Sequence, residues 1–277
     1  MRQRPLWEAT SAEPPLAPQP LDGRAEAEVA VVGAGFTGLS AALALAERGV
    51  AVAVLEAEAP GAAASGANGG QVIPGLRHFE EDLVAAYGAA AGRRLFAQGA
   101  GDADACFALI ARHGIRCDAA RGGWAQVADN PTALAEGERR LGAWAARGAP
   151  VRALPREEVR ALIGTDTYLG GWLDARGGTV NPLALARGLA RAAQAAGAAI
   201  HAPARVRAIR PEGGGWRLET AAASLHARRV LVAANAISGG LWPGLDATVI
   251  PVWSFQTATA PLPPEGCALP HGLAVSD

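Results

Sequence analysis

The stretch AVVGAGFTGLSAALALAERGVAVAVLE, residues 30–56, decides the fold of this chain. A short apolar run leads into the glycine turn GAGFTG, and an Ala/Leu-rich segment of helical composition follows. One glycine closes that segment, and a second apolar run ends in a glutamate. Strand, glycine turn, helix, strand and terminal acid, in this order, are typical of a dinucleotide-binding βαβ unit.

Four residues of this unit have separate roles. Gly33 allows the tight turn, and Gly35 lets the backbone approach a pyrophosphate on the N-terminus of the helix. Gly38 lets the helix pack close to the first strand. Glu56 can accept hydrogen bonds from both hydroxyls of a ribose, and its charge disfavours the 2′-phosphate of NADP. These residues leave NAD, FAD and an ordinary βαβ unit without nucleotide open.

The composition predicts a globular protein with no electrostatic attraction to nucleic acid or to a membrane surface. Half of the residues are hydrophobic, 18% are charged and the formal net charge is −1. A chain of 277 residues is long enough for two domains. The sequence contains no lysine, so no lysine of this chain can act as a base, a Schiff-base former or a cation that activates oxygen.

The cysteines and histidines form no metal-binding pattern. Cys106, Cys117 and Cys267 are isolated, without CxxC spacing, and the five histidines are scattered. We therefore expect no metal site, no disulfide framework and a reducing, cytoplasmic environment. The proline-rich residues 1–28 lack the apolar core of a signal peptide, and we expect no transmembrane helix.

A loop of small residues, PGAAASGANGGQV at 60–72, follows the strand that ends in the acid. It is too long and too rich in glycine for a simple connection. Such a loop supplies backbone N–H groups and close backbone approach, which suit a phosphate or a flat ring. The alternative is a flexible surface loop.

The glycine turn at 33–38, Glu56 and the segment ASGANGGQ at 64–71 together resemble the FAD-dependent D-amino-acid oxidase (DAO) superfamily, and within it the gamma-glutamylputrescine oxidoreductase type. In that family the segment equivalent to 65–72 passes beside the pyrophosphate and the isoalloxazine ring, which favours FAD over NAD. Residues 178–235 resemble the family's return to the FAD domain, although Val206 could equally be a core residue of a strand. Together with the roles above, the resemblance implies these cofactor-binding residues: Gly33, Gly35, Phe36, Thr37, Gly38, Glu56, Ala57, Ser65, Asn68, Gly69, Gly70, Gln71, Val206, Ala234 and Asn235.

The resemblance implies an α/β chain, α+β overall, with a Rossmann-like FAD-binding domain of the glutathione-reductase type and a mixed-sheet substrate domain. We expect an extended N-terminal arm at 1–24, an FAD-binding domain at 25–112 and 178–247, and a partial substrate domain at 113–177 and 248–277. Chains of the family continue well past the equivalent of residue 277. The substrate domain is therefore expected to be incomplete and C-terminally truncated.

Local patterns predict further elements. Asn181 and Pro182 are the expected N-cap and first residue of a helix that Gly197 ends. The run RVLVAA at 229–234 predicts a buried strand.

The run VIPVWSFQTATAP at 249–261 predicts a strand that enters the substrate domain. Its Trp253 and Gln256 are candidate substrate contacts, with packing in a core as the alternative. Without the rest of the substrate domain, this strand would expose apolar surface and an unpaired edge, so we expect the chain alone to behave poorly in solution.

The resemblance implies oxidation of a C–N bond in an amine or amino acid. Hydride would pass to flavin N5, and water would hydrolyse the resulting imine. The implied partners are a small amine or amino acid and oxygen or another electron acceptor, and the oligomeric state is left open. No catalytic acid or base is assigned, although His78 is a titratable candidate near the ring and Arg77 a candidate cation.

Two other interpretations stay open beside this one. A dehydrogenase of the same fold would use an acceptor other than oxygen, and a catalytically incomplete fragment would bind FAD without turnover. An NAD-dependent dehydrogenase is disfavoured by the loop at 65–71.

Overall fold

The structure is a computed structural model that describes residues 5–260 and 269–277. For these residues the chain divides into two units. Unit 1 comprises Met1–Gly69, His113–Cys117 and Asn181–Thr257, and unit 2 comprises Gly70–Arg112, Asp118–Val180 and Ala258–Asp277. Residues 70–112, which we predicted as part of the FAD-binding domain, belong to unit 2, and the assignment of functional domains stays a prediction.

The secondary structure is α/β, with sheets of mixed strand direction, as predicted. The helices are α1 (Leu6–Thr10), α2 (Phe36–Ala46), α3 (Ala64–Ala67), α4 (Glu80–Ala100), α5 (Asp102–Arg112), α6 (Pro131–Ala145), α7 (Arg156–Ile163) and α8 (Pro182–Ala195). The strands are β1 (Arg24–Val32), β2 (Val52–Leu55), β3 (Gln71–Val72), β4 (Trp124–Ala128), β5 (Val151–Pro155), β6 (Gly170–Asp174), β7 (Gly178–Thr179), β8 (Ala199–His201), β9 (Ala208–Glu212), β10 (Gly215–Glu219), β11 (Ser224–Val232) and β12 (Ala274–Ser276). Short 3₁₀ turns lie at Asn235–Ile237 and Leu245–Thr248.

The predicted βαβ unit forms in unit 1 as β1, α2 and β2. The two strands are parallel, and Val32 lies opposite Leu55 at their carboxyl ends. Valine is frequent in β2 and in the buried half of β1, Val29–Val32, because its branched side chain suits a pleated, buried surface. In α2, by contrast, Ala and Leu lose little rotamer freedom, and Leu39 and Leu43 are buried.

The sheet of unit 1 has six strands in the order β8-β2-β1-β11-β10-β9. The first four are parallel, and β10 and β9 extend the sheet with antiparallel pairs. Ala30, Val31 and Val54 in its centre are fully buried, as expected for parallel strands that are covered on both faces. The carboxyl ends of β1, β2 and β11 therefore meet at one edge of the sheet.

Helix α8 begins as predicted. The Asn181 side chain accepts a hydrogen bond from the Ala184 N–H at 2.9 Å, and Pro182 is the first helical residue. The helix ends at Ala195, two residues before Gly197. Its small, buried side chains let it pack against α2 and α3.

Unit 2 contains a four-stranded sheet in the order β12-β4-β6-β5 and the short antiparallel pair β3 and β7. Tryptophan rings fill much of its core. The Trp124 and Trp172 rings meet edge to face, with 5.3 Å between their centroids. Trp144 stacks on Phe96, with 5.2 Å between the ring centroids. These aromatic pairs bury large apolar surfaces and fix the side chains around β4 and β6.

The N-terminal arm is not extended throughout, which corrects the prediction for residues 1–24. The helix α1 gives it one turn, and the Glu13 side chain is buried. Glu13 accepts hydrogen bonds from the Arg191 guanidinium at 2.8 Å and from the Arg116 N–H at 3.0 Å. These bonds compensate the removal of the carboxylate from water and hold the arm on α8.

The predicted buried strand at 229–234 needs a correction. Strand β11 ends at Val232, and Val230, Leu231 and Val232 are only half-buried. Strand β10 lies alongside only Ser224–Ala227, so in the described part of the chain the rest of β11 pairs with β1 alone. A strand with one neighbour leaves more of its side-chain surface in water.

The predicted strand at 249–261 does not form in the residues described, 249–260; Pro261 lies outside them. Its apolar side chains, those of Ile250, Val252, Trp253 and Phe255, are 79–91% exposed. No strand in the described residues runs beside this segment. Its backbone groups therefore gain no ladder hydrogen bonds, and strand geometry is not stabilised.

Among residues 5–260 and 269–277, no helix combines the length and the apolar character that crossing a bilayer requires.

The buried Glu13 predicts a pH-dependent contribution to stability. Burial raises the pKa of Glu13, but the hydrogen bonds from Arg191 and the Arg116 N–H lower it by more, so the net pKa is below its ordinary value of 4.5. The unfolded chain then binds more protons at acidic pH, so the contribution is present above pH 4.5 and is lost as the pH falls through the folded-state pKa. Glu13→Gln should cost about 1–3 kcal/mol at pH 7. Urea unfolding should show this difference from the wild type shrinking below pH 4.5.

The control is Glu26→Gln, at an exposed position of β1, which should stay within about 0.5 kcal/mol of the wild type at every pH. A difference between Glu13→Gln and the wild type that stays constant with pH would show that the charge of Glu13 does not stabilise the fold.

The exposed side chains of residues 250–255 predict self-association, because contiguous apolar surface in water favours contacts between molecules. The double substitution Ile250→Ser and Phe255→Ser should lower the apparent mass at high protein concentration, measured by light scattering after size exclusion. Tyr87→Ser, at an exposed aromatic residue of unit 2, is the control and should change nothing. An equal concentration dependence in all three proteins would contradict the prediction.

Candidate functional site

The candidate site lies in unit 1, at the edge where the carboxyl ends of β1, β2 and β11 meet. The register places Val32 beside Leu55 on one side and beside Val232 on the other. The segments that follow these three residues are therefore neighbours. In open α/β sheets, ligands bind at the carboxyl ends of the parallel strands.

The glycine turn at this edge is too crowded for side chains at two positions. Gly33 has φ +104°, and a Cβ added to it would lie 2.7 Å from the carbonyl oxygen of Ala233, just beyond β11. A Cβ on Gly38 would meet the carbonyl oxygen of Gly33 directly. Glycine at these positions therefore brings α2 against the turn and the turn against β11, as the sequence predicts.

Ser65 lies at the N-terminus of α2, although it is 29 residues away along the chain. Its Oγ accepts a hydrogen bond from the Phe36 N–H at 3.0 Å, and a Cβ on Gly35 would lie 2.8 Å from the same oxygen. The Gly61 N–H donates to the Ala34 carbonyl at 3.0 Å. The loop that begins at residue 60 therefore folds back over the glycine turn.

The Glu56 carboxylate joins the end of β2 to the glycine turn. Its Oε2 accepts a hydrogen bond from the Ala34 N–H at 2.7 Å, and its Oε1 accepts one from the Glu58 N–H at 2.9 Å. Each carboxylate oxygen has about two acceptor positions, so each can accept a further bond. The side chain is half-buried and still reaches solvent.

These groups fit a dinucleotide. The N-terminus of α2 offers backbone N–H groups and the positive end of the helix dipole, and no acid lies in the first helical turn. Glu56 offers acceptors for a ribose diol. Because Gly33, Gly35 and Gly38 leave no side chain over the turn, a pyrophosphate can reach the backbone there.

Most of the other predicted residues of unit 1 lie around the same edge. Phe36 is the first residue of α2, and Thr37 is exposed beside it. Ala57 directly follows Glu56 and is half-buried. Ala234 and Asn235 come just after β11, and the exposed Asn235 has φ +50°.

Val206 is a core residue. It is 7% exposed and packs in the cluster that contains Val32, Leu55 and Leu218. Val206 itself lies outside a strand, because β9 begins at Ala208. The side chain of Val206 is therefore used in packing, which leaves its backbone for any contact with a ligand.

The loop at 60–72 is shared between the two units, and the division falls after residue 69. Asn68 and Gly69 belong to unit 1, and a Cβ on Gly69 would lie 3.5 Å from the Gln256 Oε1. Gly70 and Gln71 belong to unit 2, where the Gln71 side chain bonds with the Val275 carbonyl at 3.0 Å.

Several of the candidate substrate and catalytic residues have side chains that are exposed to solvent. Trp253 is 79% exposed. His78 and Arg77, in unit 2, are both exposed. Across the residues that the structure describes, no group of three or more His, Cys, Asp and Glu side chains is placed to hold a metal ion.

Sequence reasoning missed one contact at this site. The Trp7 Nε1–H donates to the carbonyl oxygen of Asn68 at 2.9 Å. The two residues are 61 positions apart, and a backbone carbonyl leaves no trace in the sequence. The proline-rich composition around Trp7 gave no signal that would have located its partner.

Comparison with known proteins identifies the family. The sequence profile of the FAD dependent oxidoreductase (DAO) family matches residues 28–276. A probable oxidoreductase, OrdL, of Rhizobium meliloti (strain 1021) is 32% identical over 275 residues, which cover 98% of this chain and 63% of that protein. The gamma-glutamylputrescine oxidoreductase of Escherichia coli (strain K12) is 35% identical over 213 residues, 76% of this chain and 50% of that protein.

Solved structures show the same fold. Glycine oxidase from Geobacillus kaustophilus has a TM-score of 0.66 at 24% identity and covers 81% of this chain, which spans 59% of that protein. L-Amino acid deaminase from Proteus myxofaciens has a TM-score of 0.66 at 21% identity and covers 82% of this chain, which spans 50% of that protein. This chain thus spans about half to two-thirds of the length of these proteins.

The family match confirms the resemblance and the expected cofactor, FAD. It accounts for the glycine turn, for Glu56 at the end of β2 and for the loop that returns to the N-terminus of α2. The chain belongs to the DAO family of FAD-dependent oxidoreductases.

Proposed function

We propose that this chain holds FAD at the edge formed by β1, β2 and β11, and that it serves oxidation of a C–N bond in an amine or amino acid. One observation carries the cofactor part. The glycine turn, the N-terminus of α2 and the Glu56 carboxylate lie together within hydrogen-bond distances, with Ala34 N–H to Glu56 Oε2 at 2.7 Å. Donors for a pyrophosphate and acceptors for a ribose are therefore adjacent.

The residues of the chain would divide the binding of FAD among them. Backbone N–H groups at the start of α2 would bind the pyrophosphate, and the Glu56 oxygens would accept bonds from the ribose hydroxyls. Ser65 already accepts the Phe36 N–H and so limits how many of these N–H groups remain for a phosphate. Rotation of the Ser65 hydroxyl would let its proton face a phosphate oxygen.

The reaction class rests on the family and on the names of similar proteins. When bound, FAD supplies a two-electron acceptor for oxidation of an amine carbon. The gamma-glutamylputrescine oxidoreductase, the glycine oxidase and the L-amino acid deaminase are named for amine or amino-acid substrates. We propose the same substrate class here, with a small amine or amino acid as the partner.

The proposal extends to particular residues, to the electron acceptor and to the location. Trp253 and Gln256 remain the substrate contacts that we propose, with Gln256 beside Gly69. Oxygen or another carrier is the proposed acceptor, and the cytoplasm is the proposed location. His78 and Arg77 would act near the flavin only if bound FAD reaches them.

The role of Glu56 is tested by Glu56→Ala. Loss of the charge-assisted bonds to the ribose should weaken FAD binding by about 1.5–3 kcal/mol, roughly 10- to 150-fold in Kd. Fluorescence titration of the FAD-free protein measures this. Glu58→Ala is the matched control, because Glu58 is an exposed neighbour whose side chain makes only a long ion pair of 3.8 Å with Arg205.

Glu56→Gln separates the effect of the negative charge of Glu56 from the effect of its side-chain shape. Its amide oxygen can still accept the Ala34 N–H, so the turn should keep this bond, whereas its NH2 group cannot accept the Glu58 N–H. The affinity for FAD should fall by part of the loss seen with alanine. An affinity in Glu56→Ala equal to that of the Glu58→Ala control would place the acid away from the ribose.

The function as a whole is tested by a visible spectrum followed by anaerobic addition of substrate. We expect a yellow protein, or one that becomes yellow when added FAD binds to it, that bleaches with gamma-glutamylputrescine or simple amino acids. Peroxide on readmission of air would identify an oxidase, and bleached protein that stays stable in air would indicate another acceptor. Protein that cannot be loaded with FAD would overturn the proposal. Yellow protein that no amine bleaches would leave this chain an FAD-binding fragment.

A further inference from the structure

The N-terminal arm reaches the loop that we propose for FAD. The Trp7 indole donates its N–H to the Asn68 carbonyl at 2.9 Å, and the side chain is half-buried. Asn68 is the C-cap residue of α3, directly after the last helical residue, Ala67. The bond comes from the arm and lies outside the βαβ motif.

The arm carries Trp7 on a rigid support, helix α8. The buried Asn181 side chain donates to the Trp7 carbonyl at 3.2 Å and to the Thr10 Oγ1 at 3.1 Å while its own oxygen caps α8. Nearly two turns further along the helix, Arg187 pairs with Glu8. A half-buried tryptophan whose backbone is held in this way has few other positions available.

The ion pair between the buried Glu13 and the half-exposed Arg191 fixes the arm again beyond α1. The two side chains meet at 2.8 Å, and Glu13 is 2% exposed. Loss of Arg191 would leave the buried Glu13 carboxylate without its charged partner, which is costly. The arm is therefore anchored on both sides of Thr10, and Trp7 lies in the anchored part.

On the loop side, Asn68 organises α3. Its Nδ2 donates to the Ala64 carbonyl at 3.2 Å and to the Ser65 carbonyl at 2.9 Å. A helix of four residues is far too short to be stable alone. Its geometry, and with it the bond from the Phe36 N–H to the Ser65 Oγ, depends on such contacts from outside the helix.

The bond also fixes the direction of the next N–H group. The peptide group between Asn68 and Gly69 is planar and trans, so its carbonyl and its N–H point in opposite directions. With the carbonyl oxygen held by Trp7, the Gly69 N–H is directed away from the arm. Gly69 is exposed, and glycine permits more backbone conformations than other residues, so the bond to Trp7 restricts the orientation of this peptide group.

We propose that Trp7 is a positioning residue for FAD, acting through the segment 64–69. Its indole holds the Asn68 peptide, which keeps Ser65 on the N-terminus of α2 and keeps the Gly69 N–H facing away from the arm and available to the cofactor. This inference rests on the proposed FAD site. It assigns the arm a role in binding rather than in packing alone.

The test compares Trp7→Phe with Trp242→Phe. Phenylalanine keeps an aromatic ring at position 7 but removes the N–H donor. Trp242→Phe is the matched control, because it makes the same substitution at another tryptophan of unit 1. The Trp242 ring packs against Trp216, with 5.5 Å between the ring centroids. Hydrogen exchange of the FAD-free proteins, followed on peptides that cover 64–69, and fluorescence titration with FAD are the two measurements.

Trp7→Phe should speed exchange in 64–69 and raise the Kd for FAD, each by about 3- to 10-fold, the effect of one hydrogen bond. Trp242→Phe should change neither. Equal exchange and equal Kd in the two variants would overturn the inference. Faster exchange throughout unit 1 would also overturn it, since that would show a merely structural role.

The proposed function and this inference fail in different ways. A wild-type protein that does not bind FAD would overturn the proposed site, and with it the role of Trp7 toward the cofactor. Wild-type protein that binds FAD, together with a Trp7→Phe variant of unchanged Kd, would overturn only the inference. Local exchange faster in Trp7→Phe, with a raised Kd, supports both.

Discussion

The hydrogen bond from the Ala34 N–H to the Glu56 carboxylate, at 2.7 Å, ties together the parts on which the candidate site depends. It joins the turn after β1 to the end of β2, two segments that the parallel register has already made neighbours. The same carboxylate accepts a hydrogen bond from the Glu58 N–H and so holds the backbone at the start of the following loop. One acid therefore sets the distance between the turn that we propose for a pyrophosphate and the carboxylate oxygens that we propose for a ribose.

The sequence predicts this part of the molecule well because its causes are local. Gly33 and Gly38 are needed where added Cβ atoms would meet carbonyl oxygens, and Asn181 caps a helix that begins at the next residue. Such constraints act over a few residues and select particular residue types. They leave a readable pattern, and the elements β1, α2, β2 and α8 follow from it.

The errors of sequence reasoning occur where distant segments decide the structure. Residues 249–260 have the composition of a strand, but no strand among the described residues runs beside them, and composition alone does not supply ladder hydrogen bonds. The end of β11 is half-buried for a similar reason, because β10 does not extend beside it. The bond between Trp7 and Asn68 is a third case, since its acceptor is a backbone carbonyl that any residue would offer.

These two kinds of constraint meet at Asn181. Its oxygen makes the local contact that the sequence reveals, the cap of α8, and its amide group makes the distant contacts, to Trp7 and Thr10. Because α8 also packs on α3, the arm and the loop that the arm contacts share one support. An asparagine is needed for this, since an aspartate would cap the helix equally well but has no N–H to hold the arm. A residue readable as a simple helix cap thus also determines where Trp7 lies, and through it the loop at 64–69.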